Sequence, residues 1–427
     1  MNLSMKFTAT CGKSVFLSGD RTACEIASEI ASEFANGGTL TVKLWYDFHT
    51  DPLTLTASVS VGDEILMNIR PYRIELYVNG ALCDEEWPCG KGYLTLDSKA
   101  EGDFAPTLTQ LAPEVIADLP FCTRRGISTA EIRIPGVNIG DCIPYSDEVD
   151  TDGKYHLFYL YDRHHHGAKW GFGAHQWAHV STTDFQIWDE HPMAVGITED
   201  WEGSICTGSV CKAVDADEWY AWYAVRMCDR SPARMTYAKS TDRVHFEKCG
   251  QYFHLPAGYE PTSARDPMVF YMDGKYHMFV TTSRLSDNSG CLAHLVNDRM
   301  AIDGWQDAGV TMAWIEHTSE GDPTRYWQPE CPDHFKMGEY YYLVFGIGGR
   351  GMYGYSKNPY GDWIFPADNT IPCGNVPKSA TIPGTGRRIF AGFISEGGVH
   401  FGYGGRLRAV EAFPNPDGTL RFEELSL

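Results

Sequence analysis

The stretch Asp152-Gly153-Lys154-Tyr155-His156-Leu157-Phe158-Tyr159-Leu160-Tyr161 returns, little changed, as Asp273-Gly274-Lys275-Tyr276-His277-Met278-Phe279-Val280. Both pair a tight polar turn with an aromatic run, the signature of a buried strand entered from a hairpin. Weaker echoes stand at Asp217–Tyr223 (DEWYAWY), Gly338–Val344 (GEYYYLV) and Arg387–Phe393 (RRIFAGF). Four of the five are trailed by a second strand-like piece and a polar turn: Ala178–Trp188, Thr236–Phe246, Ala293–Trp305 and Gly354–Trp363. Repeats about 50 to 65 residues apart, with no long helix between them, predict four-strand units set around an axis. The expected fold is all-β, with a five-bladed β-propeller over residues 127–427; the fifth echo is the weakest, so six blades or an irregular closure stays open.

Upstream the texture differs, and residues 1–120 read as a small β-sandwich. Leu40, Val42, Leu44, Tyr46 and Phe48 alternate with polar neighbours, and a second strand is expected over Leu53–Val61. A third, Arg73–Val78, runs into Asn79-Gly80, the dipeptide best suited to a two-residue type I′ hairpin. Ile26, Ile30 and Phe34, four apart and followed by Asn36-Gly37-Gly38, favour a short helix, with strand as the alternative. Leu111–Arg125, with Pro113 and Pro120, reads as a linker.

Composition narrows the partners. The net charge of −21 excludes nucleic acid and anionic membrane surfaces. No apolar run reaches about 18 residues. Residues 1–19 hold Lys6 and Lys13 but no apolar stretch of signal-peptide kind. Thirteen cysteines without a C-x-x-C pair fit reduced thiols, so a cytoplasmic protein is expected. High Gly, Tyr, Phe and Trp content with only 21% charged residues suits an aromatic-lined site for a neutral ligand, a sugar above all.

Three acids precede repeat turns at similar distances: Asp141, Asp266 and Glu330. In a propeller the strand before the turn lines the axis, so these carboxyls would converge at one channel mouth. Crowded carboxyls repel, and one retains its proton. A protonated acid beside ionised carboxylates is what cleavage of a glycosidic bond requires. Acids also end strands and cap turns, so spacing alone leaves both readings open.

The local motifs carry a family resemblance. Ala264-Arg265-Asp266-Pro267, Trp327-Gln328-Pro329-Glu330-Cys331-Pro332, Tyr155–Tyr159, Trp170-Gly171, Trp177–Trp188 (WAHVSTTDFQIW) and Gly203–Ser209 (GSICTGS) occur in the order found in glycoside hydrolase family 32. Together they resemble the β-fructofuranosidases, invertases and fructan hydrolases of that family over roughly residues 130–350. The resemblance implies a retaining mechanism with Asp141 as nucleophile, Asp266 as transition-state stabiliser and Glu330 as acid/base. It further implies that Arg265, Trp170, Thr207, Ser209 and Asn138 contact the substrate, a small oligosaccharide, and that no cofactor or metal takes part. A retaining pocket would hold Asp141 and Glu330 about 5–5.5 Å apart. The family's Trp-Met-Asn-Asp-Pro-Asn-Gly stretch reads here Val137-Asn138-Ile139-Gly140-Asp141-Cys142-Ile143, and the β-unit precedes the propeller instead of following it. A different furanoside, linkage or acceptor therefore stays open. So do an inverting arabinofuranosidase- or xylosidase-like enzyme and a catalytically inactive sugar-binding propeller. The N-terminal unit is open to carbohydrate binding, packing or a homodimer contact.

Other features read as structural. His164-His165-His166 lack the spacing of a metal site and suit a rim loop. Cys206, Cys211, Cys142 and Cys331 are expected to pack as buried thiols. Gly346-Ile347-Gly348-Gly349-Arg350-Gly351 matches a dinucleotide pattern but no helix follows it, so close packing explains the glycines better. Trp188 is expected in a blade core.

Overall fold

In a computed structural model of the 427-residue chain, side chains are described chiefly over residues 55–60, 62–66, 76–84, 139–146, 152–161, 175–197, 201–227, 231–315, 327–395 and 404–425. The backbones of further strands before residue 133 are also described. Among the described residues every regular element is a β-strand. The chain divides into two compact units, Met1–Cys122 with Ile197–Asp200, and Thr123–Gly196 with Trp201–Leu427.

The first unit holds two antiparallel sheets. Strand Leu53–Val59 of one packs against Ile74–Val78 and Ala81–Glu86 of the other, with Leu55, Val59, Leu76 and Val78 buried. The Asn79-Gly80 turn behaves as its sequence demands: both residues have positive φ, 49° and 79°, and join Ile74–Val78 to Ala81–Glu86. Ala27–Ala31 is a strand, not a helix; Ile30 sits between Val15 and Val42 in the ladder. Cross-strand pairing outweighs a four-residue spacing that is too short to nucleate a stable helix alone.

Among the described residues the second unit holds five antiparallel sheets, and the five sequence echoes are the second strand of each. Those strands are Tyr155–Tyr161, Trp219–Met227, Lys275–Ser283, Tyr340–Ile347 and Arg388–Ser395. The first strands are Cys142–Tyr145, Glu202–Lys212, Arg265–Met272, Glu330–Met337 and Asn375–Thr381. Each first strand packs against the first strand of the next sheet, and the fifth packs against the first, so the inner strands close a ring. Aromatic side chains of the echoes fill the spaces between sheets. Trp222 and Met278 share one core, Phe279 and Phe345 a second, Tyr342 and Phe390 a third. Trp177 and Trp188 are fully buried.

Two short strands within residues 123–132 extend the outer edges of two sheets. Thr123–Arg125, expected within a linker, is a strand paired with Ile187–Glu190 of the first sheet, and Glu131–Ile132 pairs with Gly405–Pro414 of the fifth. The segment preceding the first sheet thus ties the first sheet to the last. Gly348 and Gly349, both at positive φ, form the hairpin between Tyr340–Ile347 and Arg350–Ser356. A Cβ on Gly351 would lie 2.1 Å from Pro377 of the next sheet, so close sheet packing accounts for the glycine run.

Candidate active site

Three inner strands open with the same irregularity. The ladders of Arg265–Met272, Glu330–Met337 and Asn375–Thr381 each skip register just inside the strand. At each skip one non-glycine residue has positive φ: Asp266 (55°), Cys331 (52°) and Val376 (47°). A proline follows each one, Pro267, Pro332 and Pro377, in keeping with the confinement of strand prolines to bulges and edges. Left-handed backbone at a non-glycine residue is strained, and here it recurs where the ring's polar groups gather.

This register corrects one reading. Counted back from the hairpins that pair Met272 with Lys275 and Met337 with Tyr340, Asp266 is equivalent to Cys331, and Arg265 to Glu330. Asp141 matches Asp266, because Ile143 and Met268, two residues on, pair with the equivalent Phe158 and Phe279. Glu330 stands one residue out of step with the two aspartates. The bulges still bring all three acids into one cluster.

Cys331 joins the cluster from the side. Its backbone N–H donates to Asp266 Oδ2 at 3.1 Å and its thiol to the same oxygen at 3.4 Å. The sulfur also lies 3.7 Å from Asp141 Oδ2. Burial pushes the Cys331 thiol well up, reinforced by the two aspartates, so it stays protonated and can donate. Cys331 is therefore a hydrogen-bond donor to the acids and not only a packing residue. Thr207 donates its hydroxyl to Asp141 Oδ2 at 2.6 Å.

Arg265 links the other two acids. Its guanidinium donates to Glu330 Oε1 at 2.6 Å and to Gln328 Oε1 at 2.6 Å, and Nε lies 3.6 Å from Asp266 Oδ2. Gln328 in turn donates to Ser263 and Ser283, fixing the arginine's plane. Burial opposes the Arg265 charge, but Glu330 and Asp266 outweigh it and hold it protonated. For Asp266 burial pushes the carboxyl above its ordinary value; Arg265 opposes the rise, while Glu330 and Asp141 add to it. Access differs sharply: Asp266 is 3% exposed, Asp141 part-buried and the Glu330 side chain 46% exposed.

Ser209 is placed elsewhere than the resemblance implies. It is buried, accepts from Val269 N–H at 2.8 Å and donates to Pro267 O at 3.0 Å, so it ties the second sheet to the third. Ser209→Ala is expected to cost about 1–3 kcal/mol of stability. Urea unfolding should show that loss, with kcat/KM of the folded protein unchanged; a rise in KM at full stability would return Ser209 to the sugar. Trp170, Asn138 and His164–His166 lie outside the described residues. Gln328 lies inside the Trp327–Pro332 motif, whose sequence alone carries no sign that it orients Arg265. Arg226, whose charge is felt by Arg265, Asp266 and Glu330, carries no local sequence signal.

One histidine group could hold a metal. Donor atoms of His156, His179 and His191 lie within 4.8 Å of one another. Yet His156 Nδ1 and His179 Nε2 are hydrogen-bonded at 2.9 Å, and the third sheet repeats this pair as His277 and His294 at 2.8 Å. A pair recurring with the repeat and stacked among Phe158 and Phe270 is a packing device of these sheets.

A closed ring of β-sheets carries a buried and a half-exposed carboxyl bridged by arginine. Residues 148–368 match the family model "Glycosyl hydrolases family 32 N-terminal domain", and the chain belongs to that family. Thr207, Arg265, Asp266 and Glu330 lie inside the match, and Asp141 just before it. Among curated proteins the chain is 29% identical over 213 residues to a raffinose invertase of Escherichia coli, covering 48% of this chain and 41% of that one. It is 27% identical over 223 residues to a sucrose-6-phosphate hydrolase of the same organism, 50% and 43% covered. The chain thus matches only about two-fifths of these relatives' length. Its fold is similar to fructan 1-exohydrolase IIa of Cichorium intybus (TM-score 0.54, 17% identity, 71% of this chain and 60% of that one). It is also similar to a sucrose-6-phosphate hydrolase of Lactobacillus gasseri (TM-score 0.52, 16% identity, 72% and 64%).

Proposed function

We propose that the five sheets are the blades of a β-propeller, residues 127–427, preceded by a β-sandwich over 1–120, and that the propeller cleaves fructofuranosyl linkages in small oligosaccharides with retention. The carrying observation is the graded exposure of three linked acids. Glu330, half-exposed, can reach both a leaving group and water, as an acid/base must. Asp266 is too enclosed to attack a sugar and, with Cys331 donating to it, suits an ionised stabiliser of the oxocarbenium-like transition state. Asp141 has one oxygen held by Thr207, the restraint a nucleophile needs to meet the anomeric carbon in line. Arg265 would hold ring hydroxyls once a sugar displaces part of its contact with Glu330. The matched family and its invertase and sucrose-6-phosphate hydrolase relatives support a fructoside. Free thiols at Cys83, Cys142, Cys211, Cys249, Cys291, Cys331 and Cys373 fit a reducing compartment, and we assign the enzyme to the cytoplasm.

Product analysis tests the reading. The protein is incubated with sucrose, short inulin- and levan-type oligosaccharides, difructose anhydrides and aryl arabinofuranosides, and the first-formed anomer is followed by NMR. Free fructose released as the β-anomer is expected. Release of inverted arabinose alone would move the protein to the arabinofuranosidase alternative, and binding without turnover to the inactive sugar-binding one.

A further inference from the structure

Lys378 stands beneath the acids. It belongs to the fifth inner strand, two residues beyond the bulge at Val376, and is equivalent to Met268 and Asp333. It is 2% exposed, and its Nζ donates to Gly208 O at 2.6 Å. Gly208 lies on the inner strand of the second sheet, which is not a ring neighbour of the fifth. The lysine side chain therefore crosses the interior of the ring. Only glycine fits at the acceptor position, because a Cβ on Gly208 would clash with Trp222 O.

Among the described residues Gly208 O is the hydrogen-bond acceptor for Nζ, and no carboxylate lies within ion-pairing distance. A buried ammonium with one neutral hydrogen bond is costly unless negative charge lies nearby. That charge is one step above. Thr207, adjacent to Gly208, donates to Asp141, and Cys331, whose thiol feels the Lys378 charge, touches both Asp141 and Asp266. Inner-strand registers put Lys378 below Cys331 and the two aspartates, at the opposite side from Arg265.

We propose that Lys378 is the axial counter-charge of the active site, a positioning residue that reaches across the ring to Gly208, next to the Thr207 that holds Asp141, and offsets the negative charge of the clustered acids. The inference rests on the glycosidase reading and adds a residue to it. Arg265 on the third sheet, Arg226 on the second and Glu330 on the fourth stand around the acids. Asp333, His334 and Lys336 on the fourth sheet and Arg388 on the fifth instead line, with Lys378, a cavity that the three acids do not line. The thiol of Cys142 lies beside Asp141 on the first. Asp333 is the competing counter-charge, but its Oδ2 already accepts from Ser379 N–H and Oγ–H, at 2.8 and 2.7 Å. Arg388 donates to Ser379 and stacks on Phe335, directed to the cavity of about 370 Å³ that Lys378 also lines.

The test compares wild type, Lys378→Met and Lys378→Arg in kcat and kcat/KM across pH, with thermal melting as the fold control. Removing a cation makes carboxylates harder to ionise, so the acidic limb of kcat/KM in Lys378→Met should move up by about one pH unit. Lys378→Arg should restore much of it. A folded Lys378→Met with a lower melting temperature and an unmoved acidic limb would overturn the proposal and pair Lys378 with Asp333 instead. Should Lys378→Met not fold, Lys378→Gln keeps a donor for Gly208 O and removes the charge. In parallel, carbon-13 carboxyl titrations of wild type and variant follow Asp141 and Asp266 without any substrate. Wild type inactive on every fructoside would reject the assigned reaction, while unshifted carboxyl titrations in the variant would reject the role of Lys378.

Discussion

Asp141→Asn should lower kcat by about three orders of magnitude or more on any substrate the enzyme cleaves, with melting temperature little changed. The amide keeps the shape and can still meet the Thr207 hydroxyl, so the structural loss is small, but it cannot form the glycosyl–enzyme bond. Glu330→Gln should fail differently. A substrate with a poor leaving group needs the proton that Glu330 supplies, whereas one with a good leaving group does not. The variant should therefore lose most on sucrose-like substrates and less on activated aryl fructosides, whose release becomes limited by the second step. Equal losses on both would place Glu330 outside proton transfer. Near-wild-type turnover in Asp141→Asn would remove the nucleophile role from the acid that directly precedes the first sheet's inner strand and touches Cys331.

The two variants differ because the acids differ in what surrounds them, and that was only half legible in the sequence. Residues such as Asp152-Gly153 and Asp273-Gly274 announce hairpins through local backbone preference, and the aromatic runs after them announce burial. The five second strands follow from these local signals. The site depends on something less local. Asp266 and Cys331 share a left-handed backbone and a following proline, and Asn375-Val376-Pro377 repeats the device where no acid marks it. Counting acids along the chain therefore put Glu330 in step with Asp266, while the ladder puts Cys331 there. Ser209 shows the same limit. A polar residue in a sugar-family motif invites a binding role, but its partners, Pro267 and Val269, come from another sheet. Lys378 had no motif at all, since its importance arises from crossing a ring that only the tertiary fold closes.

Arg265→Met is the second large effect expected, and it separates substrate binding from charge control. The side chain is buried and donates to Glu330, Gln328 and Ser263 O, so its removal strips a hydrogen bond from each of them. The melting temperature should fall, because Gln328 and the Ser263 carbonyl lose a charged donor in a poorly hydrated place. Catalysis should fall further, by about 10²–10³ in kcat/KM, equivalent to about 2.7–4 kcal/mol of transition-state stabilisation. The pH dependence carries the sign. Arg265 is the cation that most opposes the upward push of burial on Asp266, with Arg226 adding to it. Without it the Asp266 carboxyl rises further, its ionised form is lost at higher pH, and the acidic limb of kcat/KM moves toward neutrality. At alkaline pH, where Asp266 is ionised regardless, part of the loss should be recovered. A variant whose KM rises with kcat and pH profile intact would instead make Arg265 a sugar-hydroxyl contact alone. Its bond to Glu330 would then be a resting-state contact that substrate replaces without electrostatic consequence.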